Sequence, residues 1–483
     1  MDSRKRNITI SLMIAMFLGA VEGTIITTAI PSIVKELHGF QLVSWVFSLY
    51  LLTSAISTPI YGKLSDLFGR KNILSIGIAI FLFGSFLCGL SQNMYQLIAF
   101  RALQGLGAGA IFTVTYTIVG DVFSLSERAK VQGWVSSVWG IASLAGPFVG
   151  GFFIDTLSWH WIFFINIPFG ILCIILLQKN LSEDFERQKH NIDYLGTIVL
   201  SLAIIFILNG IFSSERNRGG VPYTLFLSIG FGVILLILFY FVEARTKEPI
   251  VPFEVFTKIN TAANVICLLS SAVLIGMDVY MPIYIQNILG YNAKVSGLSV
   301  APMSISWLLS SVILGKAIPK YGEKAVTLLS VFVLLISCLL LPVLGTTSSI
   351  MLVLICTFIM GFGFGGSFTT LTIVVQSSVD YSKRGAATAL NSLLRTLGQT
   401  VGVSIFGSIF NSNIIKYFNN IGIKGIDPNE LYSGIGKVQS MTLDNIKASQ
   451  MSGIRSIFFV LIGIAFFGFL LSFALKNSLK ENK

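Results

Sequence analysis

The sequence predicts an all-α, polytopic membrane protein: two pseudo-symmetric six-helix bundles with two further transmembrane helices inserted between them. Three observations predict it. Of the 483 residues 54% are hydrophobic and only 11% charged, with a mean hydropathy of +0.81, whereas soluble domains carry about 25% charged residues. A fold in water cannot hide that much apolar surface, so its solvent is lipid. Apolar runs of membrane length also recur along the whole chain. Finally, the short charged stretch Gly62 to Lys71 (GKLSDLFGRK) has an echo 253 residues later at Gly315 to Lys324 (GKAIPKYGEK), with Gly, Lys, Gly and Lys at the same four places.

A spanning helix needs roughly 20 apolar residues. On that measure fourteen transmembrane helices are expected, at 8–30, 43–61, 73–91, 95–119, 132–154, 160–178, 193–212, 223–243, 261–288, 295–317, 325–344, 349–377, 385–411 and 453–476. Arg4-Lys5-Arg6 ahead of the first run resembles the start of a signal peptide. The run continues through Glu22 to Ile30 without a small-residue cleavage site, so it reads as a retained first span. With the N-terminus inside, the cytoplasmic segments carry 22 Lys and Arg and the outer loops 9. Cytoplasmic loops hold the excess of positive charge, so both termini are expected in the cytoplasm of a cell-membrane protein. Abundant Asn, Lys and Ile fit a low-GC bacterium.

Three parts follow. Residues 1–178 form the first six-helix bundle, 179–258 a charged linker with the two extra helices, and 259–483 the second bundle with a long outer loop at 412–452. The two bundles share more than the charged loop. Gln104 to Gly109 (QGLGAG) aligns with Met360 to Gly365 (MGFGFG) at an offset of 256, and at that offset Arg128 meets Arg384, Gly146 meets Gly402 and Glu22 meets Asp278. Internal repeats of this kind are common in secondary transporters.

The same features exclude other classes. The net charge of +11 is scattered in small groups between apolar runs, with no basic face to track phosphates, so nucleic acid is not an expected partner. Five cysteines (Cys88, Cys173, Cys267, Cys338, Cys356) lie inside apolar runs in no metal-ligand spacing. The three histidines (His38, His160, His190) read as loop or interface residues, so no metal is expected. Gly361 to Gly366 formally satisfies GxGxxG but lies inside a span, without the preceding strand or the acidic ribose ligand that a dinucleotide site needs. No GxxxxGK[ST] occurs. Neither an enzyme nor an ATP-driven pump is expected, and no cofactor: the driving force would be a proton gradient.

A few polar residues fall within the spans. Glu22 lies roughly 21 Å from the cytoplasmic end of the first at 1.5 Å per residue. A charge there costs about 2.5–3.5 kcal/mol on insertion scales unless it faces a cavity or a partner. A carboxyl group at that depth can exchange a proton when its surroundings change, which a proton-coupled carrier requires; the alternative is a fixed packing role. Arg101, in the fourth span at a similar depth, is the nearest candidate partner. An arginine close by favours the carboxylate and its withdrawal favours the acid, so the contact can couple proton release to conformation; alternatively it ties helices together. Asp278 and Arg395 are further cavity candidates, or else pair with one another or with backbone carbonyls.

In the charged loop, Asp66 is placed to meet a helix N-terminus or an arginine across the bundle interface. Gly62, Asp66, Gly69, Arg70 and Lys71 are therefore candidates for a conformational switch, the alternative being topology alone. Gly146, Pro147, Gly150 and Gly151 crowd the fifth span, where glycine lets backbones approach and proline bends the helix. Trp139, Tyr280 and Tyr284 fall near polar groups and can hold cationic ligands by cation–π contact, or serve in packing.

Taken together these stretches resemble the major facilitator superfamily, and within it the fourteen-span drug:proton antiporter branch. GKLSDLFGRK is similar to the superfamily's loop motif between spans two and three. Leu97, Arg101, Gln104, Gly105 and Gly107 resemble its fourth-span motif, and Gly146-Pro147 with Gly150-Gly151 its antiporter motif in the fifth. Val21 to Pro31 (VEGTIITTAIP) and Trp159 to Gly170 (WHWIFFINIPFG) resemble the branch's signatures in the first span and before the sixth. Departures are Glu22 where many relatives carry aspartate, Thr27 for asparagine, Ala142 for glycine and His160 for arginine. The resemblance implies a major facilitator fold, a monomer in the lipid bilayer, and export of amphipathic, often cationic, toxic compounds in exchange for protons, acting through Glu22 and its partners. It implies drug resistance as an outcome. A carrier dedicated to one lipid, siderophore or metabolite is the alternative; a membrane receptor or scaffold would need an output domain.

Overall fold

In lipid each backbone N–H and C=O must be satisfied within its own segment, so a chain of apolar runs becomes a set of helices. The computed structural model describes residues 2–37, 42–183, 193–216, 223–246, 249, 253–291, 293–423 and 442–475, and among them there is no β-strand. The helices are α1 Ser3–Leu37, α2 Val43–Phe68, α3 Arg70–Gly89, α4 Met94–Val122 and α5 Leu125–Thr156, then the short α6 Trp161–Phe164 leading into α7 Asn166–Asn180. They continue as α8 Tyr194–Arg216, α9 Tyr223–Glu243, α10 Lys258–Ile283, α11 Ala293–Tyr321, α12 Glu323–Leu340, α13 Ile350–Ser377, α14 Arg384–Asn420 and α15 Leu443–Ser472. Counting α6 and α7 together, ten helices among the described residues are long and apolar enough to cross a membrane.

Several helices outrun their apolar stretches. α14 continues to Asn420 and α15 begins at Leu443, so the ends of the segment expected as an outer loop at 412–452 are helical; 424–441 lie outside the described residues. A helix already nucleated adds each further residue cheaply, and Ile414 and Phe418, one turn apart, remain buried against the second bundle. The Thr442 side chain accepts from the Asn445 N–H at 3.3 Å and starts α15.

The chain packs as two bodies of helices with an additional pair. Helices α1–α7 surround apolar cores built on residues such as Leu12, Phe81, Ile111 and Phe163. α10–α15 surround a larger one that includes Met277, Phe364, Phe406 and Phe458. α8 and α9 pack on each other, and α8 also lies against α2 and α14. Val199, Leu200, Ala203 and Ile204 there meet Ala55 of α2 and Leu393 of α14.

The repeat legible in the sequence is reproduced at the level of atoms. A methyl group at Gly105 would overlap the Tyr50 carbonyl, and one at Gly361 the Met303 carbonyl. Gly109 bears in the same way on the Ser54 carbonyl and Gly365 on that of Trp307. Glycine thus lets α4 seat on α2 and α13 on α11 with backbones touching. Gly69 and Gly322 stand between the second and third helix of each half with φ of 90° and 87°, the left-handed region that favours glycine.

Added volume at these crossings has backbone on the other side and nowhere to go. Gly105→Ala or Gly361→Ala should therefore destabilise the protein by about 1–3 kcal/mol, seen as a lower midpoint of thermal unfolding in detergent. Gly463→Ala, in α15 with nothing within 4 Å of the added carbon, should hold or raise that midpoint.

Candidate functional site

A buried polar cluster is built from five helices. Glu22 of α1 is fully buried and Arg101 of α4 is 1% exposed. Arg101 Nη1 donates to Glu22 Oε1 at 2.6 Å and to Gln104 Oε1 at 2.7 Å, and its Nε donates to the Val46 carbonyl of α2 at 3.3 Å. The guanidinium carbon lies 4.0 Å from the centre of the Tyr50 ring. The other carboxylate oxygen accepts from Asn166 Nδ2 at 2.8 Å, and that amide also donates to Ser85 Oγ of α3 at 2.9 Å. Both contacts made to Glu22 present a donor to it, so the arrangement suits a carboxylate. Charge-assisted bonds of this length are roughly twice as strong as neutral ones.

A second cluster closes one end of the molecule, where α2 meets α14. Asp66 accepts from the backbone N–H groups of Gly385 at 3.1 Å and Ala386 at 3.0 Å. These are the free donors of the first turn of α14, where the helix dipole also favours a negative charge. Arg70 reaches Asp66 at 2.5 Å and Asp121 of α4 at 2.9 Å, while Arg384 reaches the other oxygen of Asp121 at 3.1 Å. Beside them Gln376 Nε2 donates to the Tyr116 carbonyl at 2.8 Å. Asp66 sits beyond the apolar stretch of α2, and burial lifts its carboxyl to about 6 although Arg70 and the two backbone donors pull it down. Gly62 packs on Gly385 and Ala389 where a side chain would overlap. Lys71 turns away: its N–H, with that of Arg70, donates to Glu183, and its Nζ to the Gln178 carbonyl at 2.8 Å.

The remaining candidates are spread out. Gly146 seats α5 on Thr24 of α1, next to Glu22, and Thr24 Oγ1 donates to the Ala142 carbonyl at 3.1 Å. Gly150 is buried, Gly151 has nothing within 4 Å of an added carbon, and Pro147 continues α5. Further along α5, Gly133 and Gly140 meet Ser311 and Ser304 of α11 and form the second contact line between the bundles. Asp278 of α10 is exposed. Arg395 Nε donates to Cys267 Sγ at 3.3 Å, and its guanidinium carbon lies 4.2 Å from the centre of the Phe368 ring. Trp139 is 38% exposed and stacks on Phe112 at 5.3 Å. Tyr280 is buried against Phe410. Tyr284 is fully buried and donates its hydroxyl to the Gly345 carbonyl at 2.6 Å, so its ring belongs to the packing of the second bundle.

The structure adds residues that the sequence reading passed over. Asn166, inside the stretch Trp159 to Gly170, is the second ligand of Glu22; its signal in the sequence is an amide inside an otherwise apolar run. Asp121 bridges Arg70 and Arg384, and nothing in the sequence paired a residue at the end of α4 with two arginines 51 and 263 positions away.

The model of the Major Facilitator Superfamily matches residues 12–403. The chain is 32% identical over 440 residues to Multidrug resistance protein 3 of Bacillus subtilis (strain 168), covering 90% of this chain and 85% of that protein. It is 30% identical over 406 residues to the multidrug efflux pump SdrM of Staphylococcus aureus (strain N315), covering 83% and 89%. A crystal structure of the human organic anion transporter MFSD10 (TETRAN) superimposes with a TM-score of 0.67 over 98% of this chain and 100% of that one, at 12% identity; that likeness concerns the fold.

Two outcomes follow for the seam. The closed arrangement raises the Asp66 carboxyl to about 6, so it binds a proton better than water-exposed Asp66 would. Closure is therefore favoured as the pH falls through 6 towards the ordinary carboxylate value, and disfavoured above it. Spin labels at Lys63 and Ser378 should report a larger closed fraction at about pH 5 than at about pH 7.5, and Asp66→Asn should flatten that dependence. Gly62→Leu should drive the labels apart at either pH.

Proposed function

The chain belongs to the Major Facilitator Superfamily, and on that premise we propose that it is a proton-coupled antiporter exporting amphipathic, often cationic, compounds by alternating access. The drug-transport part of this reading is supported by relatives named as multidrug transporters, which the chain matches along most of their length. It is a membrane transport protein rather than an enzyme.

The observation that carries the coupling is the buried Glu22–Arg101 pair with Asn166 behind it. Two charges are kept out of water at membrane depth, and a paired ion of this kind is strongly destabilising once its partner leaves. Movement of α4 relative to α1 would remove Arg101, and Glu22 would then be relieved by taking up a proton. The charge state of one residue is thereby linked to helix position, which is what exchange of a proton for a cation needs.

The Asp66 seam supplies the conformational half. That end of the molecule carries the basic loops and is the one expected to face the cytoplasm, so this reading makes the described state closed to the cytoplasm. Release of Asp66 from the first turn of α14, and of Asp121 from Arg384, would let the bundles part there. The protein then works as a monomer in the cell membrane of a bacterium, with small hydrophobic or cationic molecules and protons as its partners.

Ethidium efflux from cells tests the reading. The intact chain should empty cells of dye only while the proton gradient stands, and both a protonophore and Glu22→Gln should reduce the rate at least about tenfold. Well-expressed protein that moves no dye would favour a carrier dedicated to one physiological compound.

A further inference from the structure

The two halves place different chemistry at one equivalent position. Trp139 and Phe112 in the first half correspond, 256 residues on, to Arg395 and Phe368 in the second. In the first half the pair is a stack of two rings 5.3 Å apart; in the second a guanidinium lies 4.2 Å above the equivalent ring. The packing of the fold is therefore met at this position by a neutral aromatic side chain, and the cation is an addition.

The surroundings of that cation are incomplete. α14 carries Arg395 eleven residues from its start, roughly 16 Å along the axis and so near mid-membrane. Cys267 of α10, Phe368 of α13 and Tyr116 of α4 stand around it, so the guanidinium sits among helices of both bundles. Its hydrogen bond to Cys267 goes to a weak acceptor. Among the described residues no carboxylate is paired with it. Arg101, by contrast, has Glu22, and the second half puts Thr357 where the first has Arg101. A guanidinium with five donors, a planar fork suited to carboxylates, and no anion of its own is a site for one.

We propose that Arg395, with the rings of Phe368 and Tyr116, accepts the acidic group of amphipathic substrates, so that compounds bearing a carboxylate are handled as well as cations. Asp278 lies eleven residues beyond Cys267 on α10, about three turns on the same face and roughly 16 Å along it. A substrate with its acid at Arg395 and a cation about that far from it would reach Asp278, which is exposed. This rests on the reading of the protein as a drug transporter.

Rhodamine 110, a free carboxylic acid, and rhodamine 123, its methyl ester, isolate the charge. Their binding to the full chain in lipid nanodiscs is read by fluorescence anisotropy. Arg395→Met should weaken rhodamine 110 binding at least about tenfold and change rhodamine 123 less than about twofold, while Arg395→Lys keeps part of the acid's affinity. Equal loss for both dyes, or no change for either, overturns the proposal and leaves the transporter reading intact. Failure of the wild-type chain to bind either dye overturns both. Should Arg395→Met not accumulate, 4-phenylbutyrate must displace rhodamine 110 from the wild-type chain at concentrations at least about tenfold below its neutral amide; equal displacement overturns the proposal.

Discussion

Lipid offers a charged side chain nothing to bond with, and the first bundle is arranged around that fact. The Glu22–Arg101 pair draws in Gln104, Asn166, Ser85 and the Val46 carbonyl, so one ion pair fixes the relative positions of α1, α2, α3, α4 and α7. Removing one partner of such a pair costs about 3–5 kcal/mol because the other is stranded. The surrounding glycine crossings bring the backbones close enough for these side chains to meet. Packing and charge thus depend on each other, and neither has a slack solution.

The halves share a backbone plan and differ in what it carries. Gly69 and Gly322 make the same turn, and the Arg70–Asp121 contact has its counterpart in Ser377 donating to Glu323 at 2.9 Å. Asp66, however, corresponds to Pro319, which has no carboxylate to present to a helix N-terminus. The α2–α14 seam is therefore joined by polar side-chain and helix-terminus contacts, and the α5–α11 seam rests on glycines against serines. One contact line can be released by moving ions while the other slides, a division suited to two bundles that rock.

Much of this was legible in the sequence because lipid imposes hard rules. Run length marks spanning helices, and an offset of 253 or 256 relates the halves whatever their tertiary detail. Glu22 and Arg101 could be placed at similar depth from helix rise alone. Asp66 could be directed to a helix N-terminus but not to α14, because which helix starts opposite the loop is decided by how the bundles dock. Glu22 and Asp278 are equivalent in sequence, yet one is buried and paired and the other exposed. Arg101 pairs with Glu22, whereas the position equivalent to Arg101 in the second half is Thr357, which carries no cation to pair with a carboxylate. The helical extension of α14 past 411 was hidden for another reason: outside the membrane the residues turn polar, and only Ile414 and Phe418 reveal the continuing face.

The coupling proposed for Glu22 is tested most directly by separating exchange from pumping in proteoliposomes. With ethidium equal on both sides, labelled dye should exchange through the wild-type chain and through Glu22→Gln alike, since a neutral amide can still pair with Arg101. With an imposed pH gradient, only the wild-type chain should accumulate dye uphill. Undiminished uphill accumulation by Glu22→Gln would contradict the account and place proton coupling elsewhere in the molecule.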